Sequence, residues 1–536
     1  MKKHYFFLFL ILLGALYVRL EGIGWGLPEK TLSLTSYHPD EAYLFHALEH
    51  MKATHSLHPG RMGLLYGTLH FYLAGFFILM AKILGYLDFG SREFLLQNLS
   101  LANKLYMAPR ILSVLCGVVS VAGVYYLGRR LYHPTLGLLS AFFLSFYPAA
   151  IAVSHYAKVD ALLAPLVLCL LIFCLDLLEN PQFKNAGKCG FITGLLASTK
   201  YNAGIFLLLP LSLIALKFFK NSEIKQREGI YLVLGIILFA GIGFVLTTPY
   251  AIMDFPLFFN CLTTQFSLAV GTGVWEVATP YPFWRYVYFY LPFGIGWVSL
   301  ILFLAVLPWL LLRLGEKEIL LFLGFLFYFL LISFSRQKLV SYTAPLLPLI
   351  AIFSGVALTV LTSVFRGASL RIMLVAIVLI CHAFYGFCFS QLYSKVNSRE
   401  QASMWLKENV PTENSIGIVR SYYWTPGLLR REHSPYPLIK AGGDQWSLED
   451  SILGLSSIQK LPNFFVVSEL EIREYFRLES SMPKYAKTVR NFLSNYEELK
   501  SFELKPQFLG VSLWKRTPPW DFSMISPTIK IYKKKA

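Results

Sequence analysis

The stretch SYHPDEAYLF, residues 36–45, sets His38, Asp40 and Glu41 together one short loop after an apolar first segment. Pro39 has a fixed φ that suits a turn or the first turn of a helix. A carboxylate placed there can use the positive end of the helix and stay ionised. An ionised carboxylate within hydrogen-bond reach of an acceptor hydroxyl is a general base; the plain alternative is an ordinary helix start. Asp160 in SHYAKVDALLAPL is a second acid, at the head of a very apolar run where a charge is costly unless solvated or useful. Capping that helix is its bland role. His155 and Lys158 share the same turn, and a lone His beside a membrane surface is more often structural than a ligand. Lys200, Arg336 and Lys338 form a third group at predicted outer helix ends. Outward cations in short loops run against the usual topology bias. Together they suit a phosphate clamp, with Arg giving bidentate contacts and Lys a point charge; contact with ordinary anionic headgroups is the alternative. The aromatic runs YPFWRYVYFY (281–290) and YYW (422–424) are candidates for stacking on sugar rings, although an interfacial aromatic belt explains the first equally well. Acids and histidines on the outer face could also hold a divalent cation.

The chain that must position these groups has 536 residues, of which 56% are hydrophobic and only 15% charged, well below a soluble protein's share. Repeated apolar runs, each long enough to cross a bilayer, make it an α-helical polytopic membrane protein. Eleven transmembrane helices are expected near residues 5–20, 107–127, 134–150, 153–178, 188–199, 203–219, 229–247, 288–312, 318–334, 340–362 and 371–392. The net charge of +17 sits mostly in the short loops between them, where it orients helices, so no nucleic-acid partner is inferred. Seven cysteines lie in or beside apolar segments and give no disulfide framework. The first segment lacks a clear small-residue cleavage site and reads as a retained helix. Basic loops at Arg129–Arg130, Lys184–Lys188, KFFKNSEIKQR, Arg313–Lys317 and Arg366–Arg371 place the N-terminus inside and SYHPDE outside.

Two stretches break the pattern. Residues 64–84 are long enough to span, yet an odd number of crossings must separate the outward HPDE from the inward Arg129; the stretch therefore lies along the outer face or dips in and returns. GKCGFITGLLASTKYN offers only a short helix before STKYN, which leaves Lys200 in a recess. After residue 392 the composition changes. A strand near Ser415–Val419, a buried strand in NFFVVSEL and a helix–strand pair in YAKTVRNFLSNYEELKSFEL predict a small α/β extracytoplasmic domain over 393–536, following a transmembrane domain over 1–392. No Walker loop, GxGxxG in a strand–helix context, HExxH or GxSxG is present. A transferred group then arrives on a lipid carrier. A transporter or flippase of an anionic or lipid-linked substrate is the other class such intramembrane charges allow, although no paired repeats support it.

With HPDE, APRILSVLCGVVSVAGVYYLGRRLY, YPAAIAVSHYAKVDALL, GLLASTKYN, TTPYAIMDF and SRQKLVSYTAPLLPLI in order, residues 1–390 resemble the C-type polytopic glycosyltransferases, the family of protein O-mannosyltransferases and the lipid A aminoarabinose transferase. The resemblance implies an inverting enzyme of a bacterial inner membrane that moves a sugar from a polyprenyl-phosphate donor to a lipid, glycan or protein acceptor at the outer face. It implies Asp40 as base, Glu41 orienting it, and Asp160 as the second acid. It places Lys200 and Arg336, with Lys338, at the carrier phosphate. It makes His38, His155, Lys158, Tyr201, Asn202 and Tyr250 substrate contacts, and it puts non-crossing juxtamembrane helices in the first outer loop. The lumenal repeat insert of eukaryotic O-mannosyltransferases and the WWDYG of oligosaccharyltransferases are missing.

Overall fold

The computed structural model describes every residue except 1, 89, 222–224, 271–281, 314, 422, 431–433, 442–447 and 481. Parts of KFFKNSEIKQR, of the 248–287 loop and of both aromatic runs therefore lie outside the described residues. Chain contacts divide into two units: residues 1–21, 43–81 and 108–390 form one, and residues 22–42, 82–107 and 391–536 the other.

Among the described residues, nine helices are long and apolar enough to cross a membrane: Lys3–Leu20, Leu99–Leu131, Asp160–Glu179, Tyr201–Phe219, Gln226–Thr247, Phe283–Leu312, Glu316–Phe334, Ser341–Ser363 and Ala368–Asn409. The bent pair Pro134–Phe146 and Pro148–Ser154 makes ten when counted as one crossing. The chain is a multi-pass membrane protein. In lipid every backbone N–H and C=O must be satisfied within its own segment, so apolar runs of this length fold as helices. The remaining expected helix, 188–199, begins earlier, at Phe183, and ends at Thr199. Its 17 residues reach about 25 Å, less than a bilayer's hydrocarbon core. The helices expected at 134–150 and 153–178 are both redrawn. Pro148 cannot extend the helix before it and holds Tyr147 extended at ψ 120°, so the chain bends by 62° there. The new helix ends at Ser154, and the next starts only at Asp160.

Residues 64–84 do not form one span. They break into the end of Gly60–Leu64 and the 15-residue helix Leu69–Ile83. The break packs on the turn after Thr199: a Cβ added at Gly67 would lie 1.8 Å from the Ser198 carbonyl oxygen, so only glycine fits. Thr68 Oγ1 donates to the Thr247 carbonyl, Ser198 and Thr248 share a 2.7 Å hydroxyl bond, and Tyr201 Oη donates to Leu64 O at 2.9 Å. At the other end of this unit the basic loops gather acids. Arg130 bonds Asp176 and Glu179, each at 2.6 Å, and Lys317 donates to the Leu131 carbonyl.

In the second unit, β1 (Ile416–Ile418), β2 (Leu438–Lys440), β3 (Phe464–Ser468), β4 (Tyr496–Phe502) and β5 (Ile529–Lys534) make one sheet in the order β2-β1-β3-β5-β4. The first three strands are parallel, and β5 and β4 are antiparallel additions. Leu406, Ile418, Val466 and Ile531 are among the side chains of its core. This is the expected small α/β fold, but its unit also takes in 22–42 and 82–107, which local pattern assigns to the membrane part.

After β3, Ser468 caps the helix Glu469–Arg477, and its N–H donates to Glu471 Oε2 at 2.9 Å. Glu471 is buried, and burial pushes its carboxyl up from 4.5 to about 7. The folded state then holds a proton that the unfolded chain has lost. The stability this group contributes is fully present below about pH 4.5, declines as pH rises to about 7 and is level above it. The hydrogen-exchange protection factor of the peptide 464–477, corrected for the intrinsic pH dependence of exchange, is expected to fall across that window in the native protein and to stay level in Glu471→Gln.

Candidate active site

Asp160 occupies the first position of its helix and is completely buried, and two lysines neutralise it. Lys200 Nζ lies 2.8 Å from Oδ1 and Lys158 Nζ 3.1 Å from Oδ2. Both lysines are buried as well, so the arrangement is a low-dielectric triad, where charges act more strongly than in water. Two ammonium groups against one carboxylate leave one net positive charge. Lys200 reaches this place because the short helix stops at Thr199; the residue itself is extended, φ −154° and ψ 120°, before the 3-10 turn Tyr201–Leu207. The recess read from GLLASTKYN is therefore present. Beneath Lys200, the Tyr342 ring centroid is 4.5 Å from Nζ.

From Lys200 a cavity of about 430 Å³ runs between the helices Phe255–Val270 and Glu316–Phe334. Leu65, Leu262, Phe266, Leu268, Leu331 and Phe334 make an apolar wall. Lys200, Asn202, Gln265, Ser335, Gln337 and Tyr342 supply its polar groups, and Tyr342 Oη donates to Gln337 Oε1 at 3.2 Å. An apolar trough with one cation among neutral hydrogen-bonding groups suits a molecule with a lipid tail and an anionic head.

Of the sequence-predicted residues, Lys200, Tyr201 and Asn202 line this cavity. Lys158 and Asp160 form the triad with Lys200. Lys338 is buried, its Nζ donates to the Ser335 carbonyl and it stands 5.9 Å from the Tyr286 ring centroid, so it serves the cavity wall. Arg336 is exposed between the cavity-lining Ser335 and Gln337, and its backbone N–H donates to Ala269 O at 2.8 Å. His155 faces the carbonyls of Ile151 and Glu21 at 2.9 and 2.8 Å, and burial pulls it down to about 4. Its ring is committed to the backbone, which corrects the expectation of a substrate contact. Tyr250 packs edge-on against His58, with centroids 4.4 Å apart. His58 itself accepts from Gly60 N–H at Nδ1, so Nε2 carries the proton and donates to Asp254 Oδ2 at 3.1 Å. Tyr250 thus belongs to a brace between the first loop and the 250–254 turn.

His38, Asp40 and Glu41 stand in the other unit. Asp40 precedes the helix Glu41–Thr54 and is half-buried, its N–H donating to His38 Nδ1 at 3.2 Å. Glu41 and His38 are buried. The aromatic readings are corrected in part: Tyr286, Tyr290 and Trp424 are buried and unavailable for stacking, whereas Phe283, Trp284 and Tyr288 are exposed. Sequence reasoning missed Tyr342, Gln265, Gln337, Asp254 and His70. His70 is buried with neither ring nitrogen bonded among the described residues, close enough to feel the Asp160 charge. No local signal marks it. Among the described residues no three His, Cys, Asp or Glu side chains group as a metal site.

Residues 96–246 match the family described as dolichyl-phosphate-mannose-protein mannosyltransferase. No curated protein matches the chain in sequence. The fold is similar to that of the Archaeoglobus fulgidus oligosaccharyltransferase in its apo form (TM-score 0.53, 12% identity, 95% of this chain and 75% of that one). It is similar also to AglB from the same organism in complex with an inhibitory peptide and a dolichol-phosphate (TM-score 0.51, 12% identity, the same shares). ArnT from Cupriavidus metallidurans bound to undecaprenyl phosphate aligns over 98% of this chain and 97% of its own, at TM-score 0.49 and 13% identity. The chain shares its fold with these polytopic membrane oligosaccharyltransferases. Within the chain, the segment 96–246 is similar to the protein mannosyltransferase family. The transporter reading is set aside.

Proposed function

We propose that this enzyme transfers one sugar from a polyprenyl phosphate to a hydroxyl of a lipid, glycan or protein acceptor at the outer face of a bacterial inner membrane. The observation that carries the donor assignment is the apolar cavity ending at Lys200, whose charge is only half cancelled by Asp160. The first isoprene units lie along Leu262, Phe266 and Leu331, and the phosphate meets Lys200. The acceptor oxygen attacks the anomeric carbon from the face opposite the phosphate, the bond from that carbon to the phosphate oxygen breaks, and the configuration inverts. The acceptor proton passes to Asp40, and the phosphate leaves with the bonding electron pair. A fixed cation in a dry cleft stabilises that leaving charge without reorganising at the moment of reaction. Arg336, at the cavity's rim, is placed to receive the headgroup from solvent.

Purified protein incubated with labelled polyprenyl-phosphate sugars is expected to release free polyprenyl phosphate only when an acceptor is added; no turnover with any such donor refutes the reading. Filling the trough tests the site itself. Ala269→Trp is expected to raise the donor KM about tenfold or more while kcat changes little, since the lost contacts are equal in ground and transition states. An unchanged donor KM removes the cavity from the donor path.

A further inference from the structure

We infer that Arg399 and Arg430 of the C-terminal domain are positioning residues that set the loop carrying Asp40. The inference rests on the reading of Asp40 as base and concerns residues of one unit only. The loop between Thr31 and Asp40 has no strand or helix of its own; its internal bonds join the short hydroxyls of Thr31, Ser33 and Thr35. Its outer ties come from far along the chain. Arg399 is completely buried, and its planar fork is filled: Nη1 donates to Tyr423 O, Nη2 to Met524 O and Ile525 O, and Nε to Asn397 Oδ1, all at 2.9 Å. With its edge so occupied, the guanidinium offers its face to Tyr37, whose ring centroid is 3.7 Å from Cζ.

Arg430 grips the same loop from its other end. Its Nη1 donates to Ser33 Oγ at 2.7 Å and Thr35 Oγ1 at 3.0 Å, while Nη2 reaches Tyr423 O at 3.3 Å. Tyr423 O is thus shared by both arginines. Tyr37 is also pinned through its backbone, its N–H donating to Gly26 O at 2.9 Å. From this fixed tyrosine only His38 and Pro39 intervene before Asp40, and the Asp40 N–H is bonded back to His38. A base must sit within a fraction of an ångström of its productive place, and a 1 Å error costs on the order of 10²-fold. No lysine could do the work of Arg399, having neither the planar fork nor the stacking face. The C-terminal domain therefore holds the loop that carries Asp40.

The test uses full-length protein carrying Arg399→Ala, Arg430→Ala or Arg399→Lys, each also combined with Asp40→Asn. Arg399→Ala is expected to lower kcat by about 10²-fold with the donor KM unchanged, and Arg399→Lys is expected not to restore it. Hydrogen exchange should quicken in the peptide 31–40 and stay as it was in 464–468. In the Asp40→Asn background the arginine substitutions should cost nothing more, because there is no base left to position. Arg430→Ala removes the Ser33 and Thr35 ties and one bond to Tyr423 O but leaves the Arg399 fork in place, and it is expected to give the same pattern if Arg399→Ala fails to fold. An equal loss in both backgrounds, a loss confined to donor KM, or wild-type kcat and exchange in Arg430→Ala overturns the inference. Full activity of Asp40→Asn alone refutes the base assignment instead, whatever the arginine variants do.

Discussion

Asp40→Asn is expected to lower sugar transfer by about 10²–10⁴-fold, the usual contribution of a general base, while the protein inserts, folds and binds donor as before. The amide keeps the size of the carboxylate and one acceptor oxygen, so the start of the helix Glu41–Thr54 is expected to survive. What is lost is the ability to take the acceptor proton. Because the donor cavity does not include Asp40, its KM should hold and the loss should fall on kcat. A radiolabelled-sugar transfer assay with single-turnover kinetics reads both. Glu41 is fully buried and sits beside the half-buried Asp40, so Glu41→Gln should show a smaller loss. If Glu41→Gln is the dead variant and Asp40→Asn the active one, the roles are exchanged.

Asp160→Ala is expected to be the most destabilising single substitution in the membrane unit, by about 3–5 kcal/mol, the cost of leaving buried charge uncompensated. Removing the carboxylate sets Lys158 and Lys200, both buried, against each other. Lys158→Met in the same background removes one of the two cations and should recover part of the loss, and thermal unfolding in detergent measures the cycle. Donor affinity should fall with stability in Asp160→Ala, since Lys200 is held at the mouth of the cavity by Oδ1. The expected second catalytic acid is paired with Lys158 and Lys200, which favours an anchoring role for it. An Asp160→Ala variant with wild-type melting and donor affinity would make the triad incidental.

Much of the site's frame is legible in the chain itself. Apolar length marks the crossings, and the short run before STKYN marks the break that sets Lys200 in its recess. The continuous apolar run in NFFVVSEL marks a buried strand of the tail. The odd number of crossings required between HPDE and Arg129 marks residues 64–84 as irregular, and Gly67 against Ser198 shows why that stretch breaks where it does. Pro148 bends the helix expected at 134–150, and the 155–159 turn delays the one expected at 153–178, dividing a run whose hydropathy is continuous.

Hydropathy, charge placement and proline determine this protein's helices and strands because backbone hydrogen bonds must close locally in lipid, whatever the neighbours. The pairing of side chains obeys no such local rule. That Asp160 would be held by Lys200, 40 residues on, that Tyr342 would lie under that lysine, and that Arg399 would stack on Tyr37 were decided by packing between distant segments. Buried charges and rings accept whichever partner the fold brings within a few ångströms, and only the assembled tertiary structure specifies that partner.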